Sequence, residues 1–253
     1  MQIITLTFPF SLHPTDIPAF RAAIVEVVGL GHHLFHNHDN SVPGQVAYHQ
    51  EYPLIRFAVR KGRAQITGIG PGADAVIRHL LPVLPETLVI AGRPCTTSGY
   101  TLRNRIWDPE LSAEPRLFGL VQWLALNKEN YRSWKSLEGN PEARMLLLDR
   151  CLTGQLRMMA ERLAPELDRR LIAARVVNLD RVKRITWHGV QLIGFYGVAE
   201  ANFLPPAGLG VGRCSSFGFG EITGPRTYSG LMDNWAQGKR ENPELEVDEE
   251  LII

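Results

Sequence analysis

An α+β fold of two tandem ferredoxin-like (RRM-like) domains is predicted, the second distorted and carrying a C-terminal glycine-rich loop. Three observations carry this prediction. The first third of the chain reads as β-α-β-β-α-β, the element order of a ferredoxin-like unit. The second half runs through strand, helices and strands in a similar but looser order. Five glycines fall within thirteen residues, from Gly208 to Gly220, which marks that stretch as a glycine-rich loop. The implied organisation is residues 1–95 as the first domain, 96–240 as the second, and 241–253 as an acidic tail.

The elements follow in order. Gln2 to Phe8 is rich in Ile, Thr and Leu, a strand signal. Asp16-Ile17-Pro18 opens a helix, with Thr15 or Asp16 as its cap and proline in its first turn. Phe20, Ile24, Val27 and Val28 give that helix one apolar face. Leu54 to Val59 and Ala64 to Ile69 are short strands, and Lys61-Gly62 suits a tight hairpin between them. Pro71-Gly72 opens a helix through Leu81. Thr87 to Ala91 is expected to be the fourth strand, closed by Gly92-Arg93-Pro94. Gly29 to Glu51 is a long connection, and long connections in compact domains are often functional. In the second half, Tyr100 to Trp107 alternates as a strand. Lys128 to Leu137 and Pro141 to Leu163 are helical, the second with an apolar stripe and with Arg144, Arg150, Arg157 and Arg162, which read as a solvated face. Ile172 to Leu179, Arg184 to His188 and Gln191 to Val198 read as strands, with a turn at His188-Gly189.

Composition narrows the class of function. The chain has 253 residues and is 45% hydrophobic, enough for a core. No apolar run reaches bilayer-spanning length. Met1 to Leu6 has no basic flank, and Phe8-Pro9-Phe10 breaks the apolar run, so no signal peptide is read and a cytoplasmic protein is expected. Cys95, Cys151 and Cys214 form no CxxC pair and read as free thiols. The net charge of +1 conceals a basic body. Glu241, Glu244, Glu246, Asp248, Glu249 and Glu250 are unopposed, and without them 27 basic residues face 20 acidic ones, a net +7. Arginine dominates the cations and forks onto phosphate. A polyanionic partner suits this balance, though charged surface is often only solvated.

Two segments carry candidate chemistry. From Gly208 to Gly220, glycine lets a ligand approach the backbone, and successive N–H groups can nest an anion. Arg213, Ser215 and Ser216 add phosphate donors, and Phe217 and Phe219 offer stacking faces. A P-loop needs a lysine that is missing here, and a dinucleotide fingerprint needs a third glycine where Arg213 stands. A bulged hairpin of purely structural purpose is the bland alternative. The second segment is Gly31 to His38, with His32, His33, His36 and His38 in seven positions. Histidine moves protons near neutral pH, and His36 and His38, two apart, face one way in an extended chain. His32 and His36 also have helical zinc spacing, but no HExxH accompanies them. His13, His49, His79 and His188 read as ordinary polar residues.

The glycine-rich segment, with Asn202, Leu204-Pro205, Gly208, Gly210, Arg213, Ser216, Gly218, Phe219 and Gly220, resembles the C-terminal loop of CRISPR-associated repeat-RNA-processing endoribonucleases. These belong to the RAMP superfamily, and the likeness is to the subgroup typified by archaeal members. Phe217 departs from it, standing where the family has arginine. Trp123 to Tyr131 resembles the family's entry to its helical insert. Tyr52-Pro53-Leu54-Ile55-Arg56-Phe57 with Ile66-Thr67-Gly68-Ile69 resembles its N-terminal hairpin.

The resemblance implies metal-independent RNA cleavage to 2′,3′-cyclic phosphate and 5′-hydroxyl ends, with no cofactor. Its partner would be CRISPR repeat RNA, with a CRISPR effector complex and a homodimer as further associations. It implies His38 as leading proton-transfer residue, His36 as its partner, and Tyr48 (with Tyr52 as the fallback) at the phosphate. Arg56, Lys61 and Arg213 are the candidate cations, and Asn202, Gly208, Gly210, Gly212, Ser215, Ser216, Gly218 and Gly220 complete the expected RNA-binding set. The rival readings are a non-catalytic RNA-binding subunit on the same fold and a metal-dependent hydrolase using the histidines.

Overall fold

The structure, a computed structural model, describes residues 1–36 and 51–224 in full, and between them the backbone of His38–Asp39 and Ala47–Tyr48. The acidic tail at 241–253 lies outside the described residues.

The first sheet has β1 (Gln2–Ser11), β4 (Ile55–Arg60), β5 (Arg63–Ile69) and β8 (Thr101–Ile106). Its strand order is β4-β5-β1-β8, with every pairing antiparallel. That is the ferredoxin-like order. Helix α1 (Ile17–Val28) follows β1, and α2 (Pro71–Ala75) follows β5 and continues as one π turn to Leu80. Alternation along β1 sends Ile4, Leu6 and Phe8 into a core with Phe20, Ile24 and Val28 of α1 and Val76 and Leu80 beyond α2. The tight β4–β5 turn is at Lys61 and Gly62, both with positive φ.

One strand differs from expectation. Thr87–Ile90 (β6) does not join the first sheet. It turns back through Ala91 and Gly92, both with positive φ, and pairs with β7 (Arg93–Thr96). Leu88 and Ile90 anchor this hairpin to the first core. The edge of β1 is taken instead by β8, so the first sheet closes at residue 106. The long connection from Gly29 to Glu51 contains two short strands, β2 (His38–Asp39) and β3 (Ala47–Tyr48), paired antiparallel.

The second sheet has β9 (Leu111–Trp123), β10 (Ala174–Trp187), β11 (Val190–Phe203) and β12 (Glu221–Thr223), in the order β10-β11-β9-β12. This repeats the first sheet's topology. Between β9 and β10 lie α3 (Lys128–Ser136) and α4 (Pro141–Leu163), capped by Asn127 and Asn140. Leu148, Leu152, Leu156 and Met159 of α4 are fully buried against the sheet. Two expected strands, 172–179 and 184–188, are one strand, because register shifts at Asn178 and Arg181 break its alternation. Arg157 of α4 is not merely solvated: it donates to the carbonyls of Arg170 and Ile172. The glycine-rich segment occupies the β11–β12 crossover, where a regular unit carries its second helix, with a single 3-10 turn at Ser215–Phe217. Among the described residues, no helix is long and apolar enough to cross a membrane.

Candidate functional site

The glycine-rich segment is held by its own backbone. Gly208 N–H donates to Ile222 O, Ile222 N–H to Leu209 O, Val211 N–H to Gly220 O, and Gly220 N–H to Gln122 O. The amides of Leu209, Arg213, Phe217 and Gly218 are also engaged within the protein. These amides therefore fold the segment and are not offered as an anion nest. Leu209 and Val211 are fully buried, and Ser215 and Ser216 nearly so. Gly220 is required twice over: its φ is +64°, and a Cβ there would lie 1.8 Å from Val211 O.

Residues of the first half clamp the segment. Arg56 is 4% exposed, with Nη1 donating to Gly208 O (3.1 Å) and Nη2 to Gly218 O (2.8 Å). Burial lowers its pKa, and Glu221 at 4.0 Å partly offsets that. Glu221 also pairs with Arg60 at 3.3 Å. Tyr52 is buried and donates to Gly210 O (2.9 Å), and burial raises its pKa above the usual phenol range. Arg105 donates to Ala207 O (2.9 Å). Both Arg56 and Tyr52 are thus committed to carbonyls of the protein. Asn202 is committed too, bridging Ala173 N–H and Leu171 O at 2.9 Å each. Arg213 donates to Leu126 O (3.1 Å) and remains exposed, as does Lys61 at its turn.

The histidine loop leaves α1 at Gly29. His36 is 7% exposed, and its Nε2 lies 2.7 Å from Leu30 O. A carbonyl only accepts, so Nε2 carries the proton; Nδ1 is buried with no partner among the described residues. The rings of His32 and His79 lie 4.2 Å apart. His38 and Tyr48 stand directly opposite each other in the β2–β3 register. Their side chains lie outside the described residues.

The two segments meet at one cavity of about 190 Å³. His33 and Leu34, where the loop departs, and Glu51 and Tyr52, where it returns, line it. Ser216 of the glycine-rich segment, Arg21 of α1 and Arg162 of α4 also line it. Arg162 pairs with Glu51 at 3.0 Å. Lys61, Arg213 and Asn202 do not line this cavity. Phe217 is not a free stacking face: Arg21 lies 4.7 Å over its ring and Trp187 packs at 5.2 Å. Phe219 is 7% exposed.

Arg21 is the residue that reading the sequence missed, and a signal was present. The buried stripe of α1 is Ile17, Phe20, Arg21, Ile24 and Val28. An arginine at a core-facing position of an apolar stripe breaks the helical pattern.

Comparison with known proteins agrees with this architecture. One solved structure, described as a crystal structure of Cas6b, superposes with a TM-score of 0.76 at 21% identity, covering 88% of this chain and 98% of the other. Another, described as the CRISPR RNA processing endoribonuclease Cas6b, gives 0.65 at 19% identity, covering 88% and 99%. An uncharacterized protein of Methanocaldococcus jannaschii is 34% identical over 100 residues, 40% of this chain, and the chain spans 65% of that protein's length. The Cas6b N-terminal domain matches residues 1–103 and the Cas6b C-terminal domain residues 111–224, so the chain belongs to the Cas6b family.

Proposed function

We propose that this chain is a metal-independent endoribonuclease that cuts CRISPR repeat RNA. The observation that carries the reading is the cavity lined both by the ends of the histidine loop and by Ser216 of the glycine-rich segment. Relatives described as CRISPR RNA processing endoribonucleases supply the substrate class. The reaction is an internal transesterification. A base removes the 2′-hydroxyl proton, the 2′-oxygen bonds to phosphorus, and the bond from phosphorus to the 5′-oxygen breaks. An acid returns a proton to that oxygen, leaving 2′,3′-cyclic phosphate and 5′-hydroxyl ends.

His38 is the leading proton carrier, and Tyr48, its cross-strand partner, orients the phosphate. His36, expected as a second proton carrier, is better suited to holding the loop, because its ring is buried and its Nε2 is tied to Leu30 O. Arg56 is better suited to holding the glycine-rich segment than to touching RNA, while Lys61 and the part of Arg213 not tied to Leu126 O are exposed to meet the RNA backbone. A basic body, net +7 without the tail acids, favours that contact.

The test is incubation with repeat RNA in EDTA, followed by mapping of product ends. The native chain is expected to cut at one position per repeat. His38→Ala is expected to slow cutting by about 100-fold or more. Unchanged cutting by His38→Ala overturns the assignment. Tight binding without cutting by the native chain favours a non-catalytic subunit, and activity lost in EDTA favours the metal-dependent reading.

A further inference from the structure

Arg21 is a buried cation with no carboxylate among the described residues to balance it. It is 9% exposed. Burial lowers its pKa to about 10, with no carboxylate opposing the shift, so it remains charged at neutral pH. Its Nε donates to Phe35 O (2.9 Å), and its guanidinium lies 4.7 Å over the ring of Phe217. Neither contact occupies the terminal nitrogens, and no ion pair forms between Arg21 and any described residue. Paired carboxylates accompany most arginines buried for structural reasons, because an unpaired buried charge is costly. A charge kept at that cost, on the wall of a cavity, marks a site for an anion. The volume, about 190 Å³, is below that of pockets for drug-sized ligands and suits a single phosphodiester group.

The fixed contacts aim the fork. Nε is held by the histidine loop through Phe35, and the flat face is held by the glycine-rich segment through Phe217. Phe217 itself carries no charge, so the cation beside this part of the segment is Arg21 of α1.

We propose that Arg21 is a catalytic residue that donates its terminal N–H groups to the non-bridging oxygens of the scissile phosphate. This rests on the endoribonuclease reading above. As the 2′-oxygen bonds to phosphorus, negative charge gathers on those oxygens, and a guanidinium fixed beforehand stabilises it more than it stabilises the ground state. Arg162, which lines the same cavity and is paired with Glu51, is not required for this step.

The test compares the native chain with Arg21→Gln and Arg21→Lys in single-turnover cleavage of repeat RNA in EDTA. Binding is measured on the same RNA with a 2′-deoxy nucleotide at the cut, which removes the nucleophile. Arg21→Gln is expected to slow cleavage by about 100-fold or more, the usual loss for one oxyanion donor, while binding weakens by less than about 10-fold. Arg21→Lys is expected to recover part of the rate. A non-bridging phosphorothioate at the cut is expected to slow the native chain and to slow both variants much less, which a merely structural role would not produce. If Arg21→Gln does not fold, Arg21→Lys carries the phosphorothioate comparison. Cleavage by Arg21→Gln within about threefold of native, or an unchanged phosphorothioate penalty in either variant, overturns the proposal alone. A native chain that cuts no repeat RNA overturns the endoribonuclease reading, and this assignment with it.

Discussion

At the scale of single residues, burial decides more than residue type. Arg56 and Arg213 look alike in the sequence, yet one is 4% exposed beneath the glycine-rich segment and the other reaches the surface. The partners of Arg56 lie 152 and 162 residues away, so no local pattern announces them. Asp180 shows the same effect with a testable sign. Its Oδ1 accepts from Asn178 Nδ2, but its Oδ2 is buried with no partner among the described residues, and burial raises its pKa. The folded state therefore holds this proton more tightly than the unfolded state does. Its contribution to stability is present below the ordinary carboxylate range and is lost as pH rises through the raised value. Asp180→Asn keeps the Asn178 contact and removes the charge. The variant is expected to be more stable than the native chain at neutral pH, by less than about 1 kcal/mol after solvent screening. The gap should close below about pH 4, where the native carboxyl is also neutral. Denaturant midpoints for both proteins at acid and neutral pH check this, and a gap independent of pH would refute it.

At the scale of elements, the sequence was legible where one segment contains its own signals. Helix α4 runs from Pro141 to Leu163 as its apolar stripe predicts, and the His188-Gly189 turn joins β10 to β11. The fourth strand was not legible. Thr87–Ile90 alternates well but spends its pairing on a local hairpin, whereas exposed Thr101–Ile106 pairs with β1. Strand propensity reports fit to a half-buried surface, not which edge is free. Strand β9 was also missed, since its outer half, Ser112 to Arg116, is polar and includes Pro115. The glycine-rich segment was recognised as unusual, but its exchange of carbonyls and amides with neighbouring strands was not foreseeable. That exchange predicts a sharp cost at Gly220. Gly220→Ala must fit a Cβ 1.8 Å from Val211 O at φ +64°, so Val211 or the turn has to move. A loss of about 2–4 kcal/mol is expected, from strain together with broken loop hydrogen bonds. Gly224→Ala, with open space around its Cβ, is expected to be nearly neutral. Equal stability of the two variants in denaturant titrations would contradict this account of the segment.

At the scale of the whole molecule, the two ferredoxin-like halves behave as one body, because they share a core. Ile3, Tyr52, Leu54 and Ile69 of the first half pack in the same buried cluster as Leu120, Trp123 and Leu156 of the second. Polar contacts cross the same boundary: Tyr52 to Gly210, Arg56 to Gly208 and Gly218, Arg60 to Glu221, and Arg105 to Ala207. The candidate site lies on this boundary, so its geometry depends on the docking of the halves. The four tryptophans among the described residues, Trp107, Trp123, Trp134 and Trp187, belong to the second half or its entry. Tryptophan fluorescence therefore reports the second half, while far-UV circular dichroism reports the whole chain. One coincident transition in denaturant is expected from the two probes. Arg56→Met, a change in the first half, should move that shared transition. It leaves the carbonyls of Gly208 and Gly218 and the carboxylate of Glu221 without their central donor, a loss of about 3–5 kcal/mol for breaking a buried charged network. The fluorescence midpoint should fall together with the dichroism midpoint. If fluorescence held its native midpoint while dichroism fell, the halves would unfold independently, and the shared boundary could not be what positions the site.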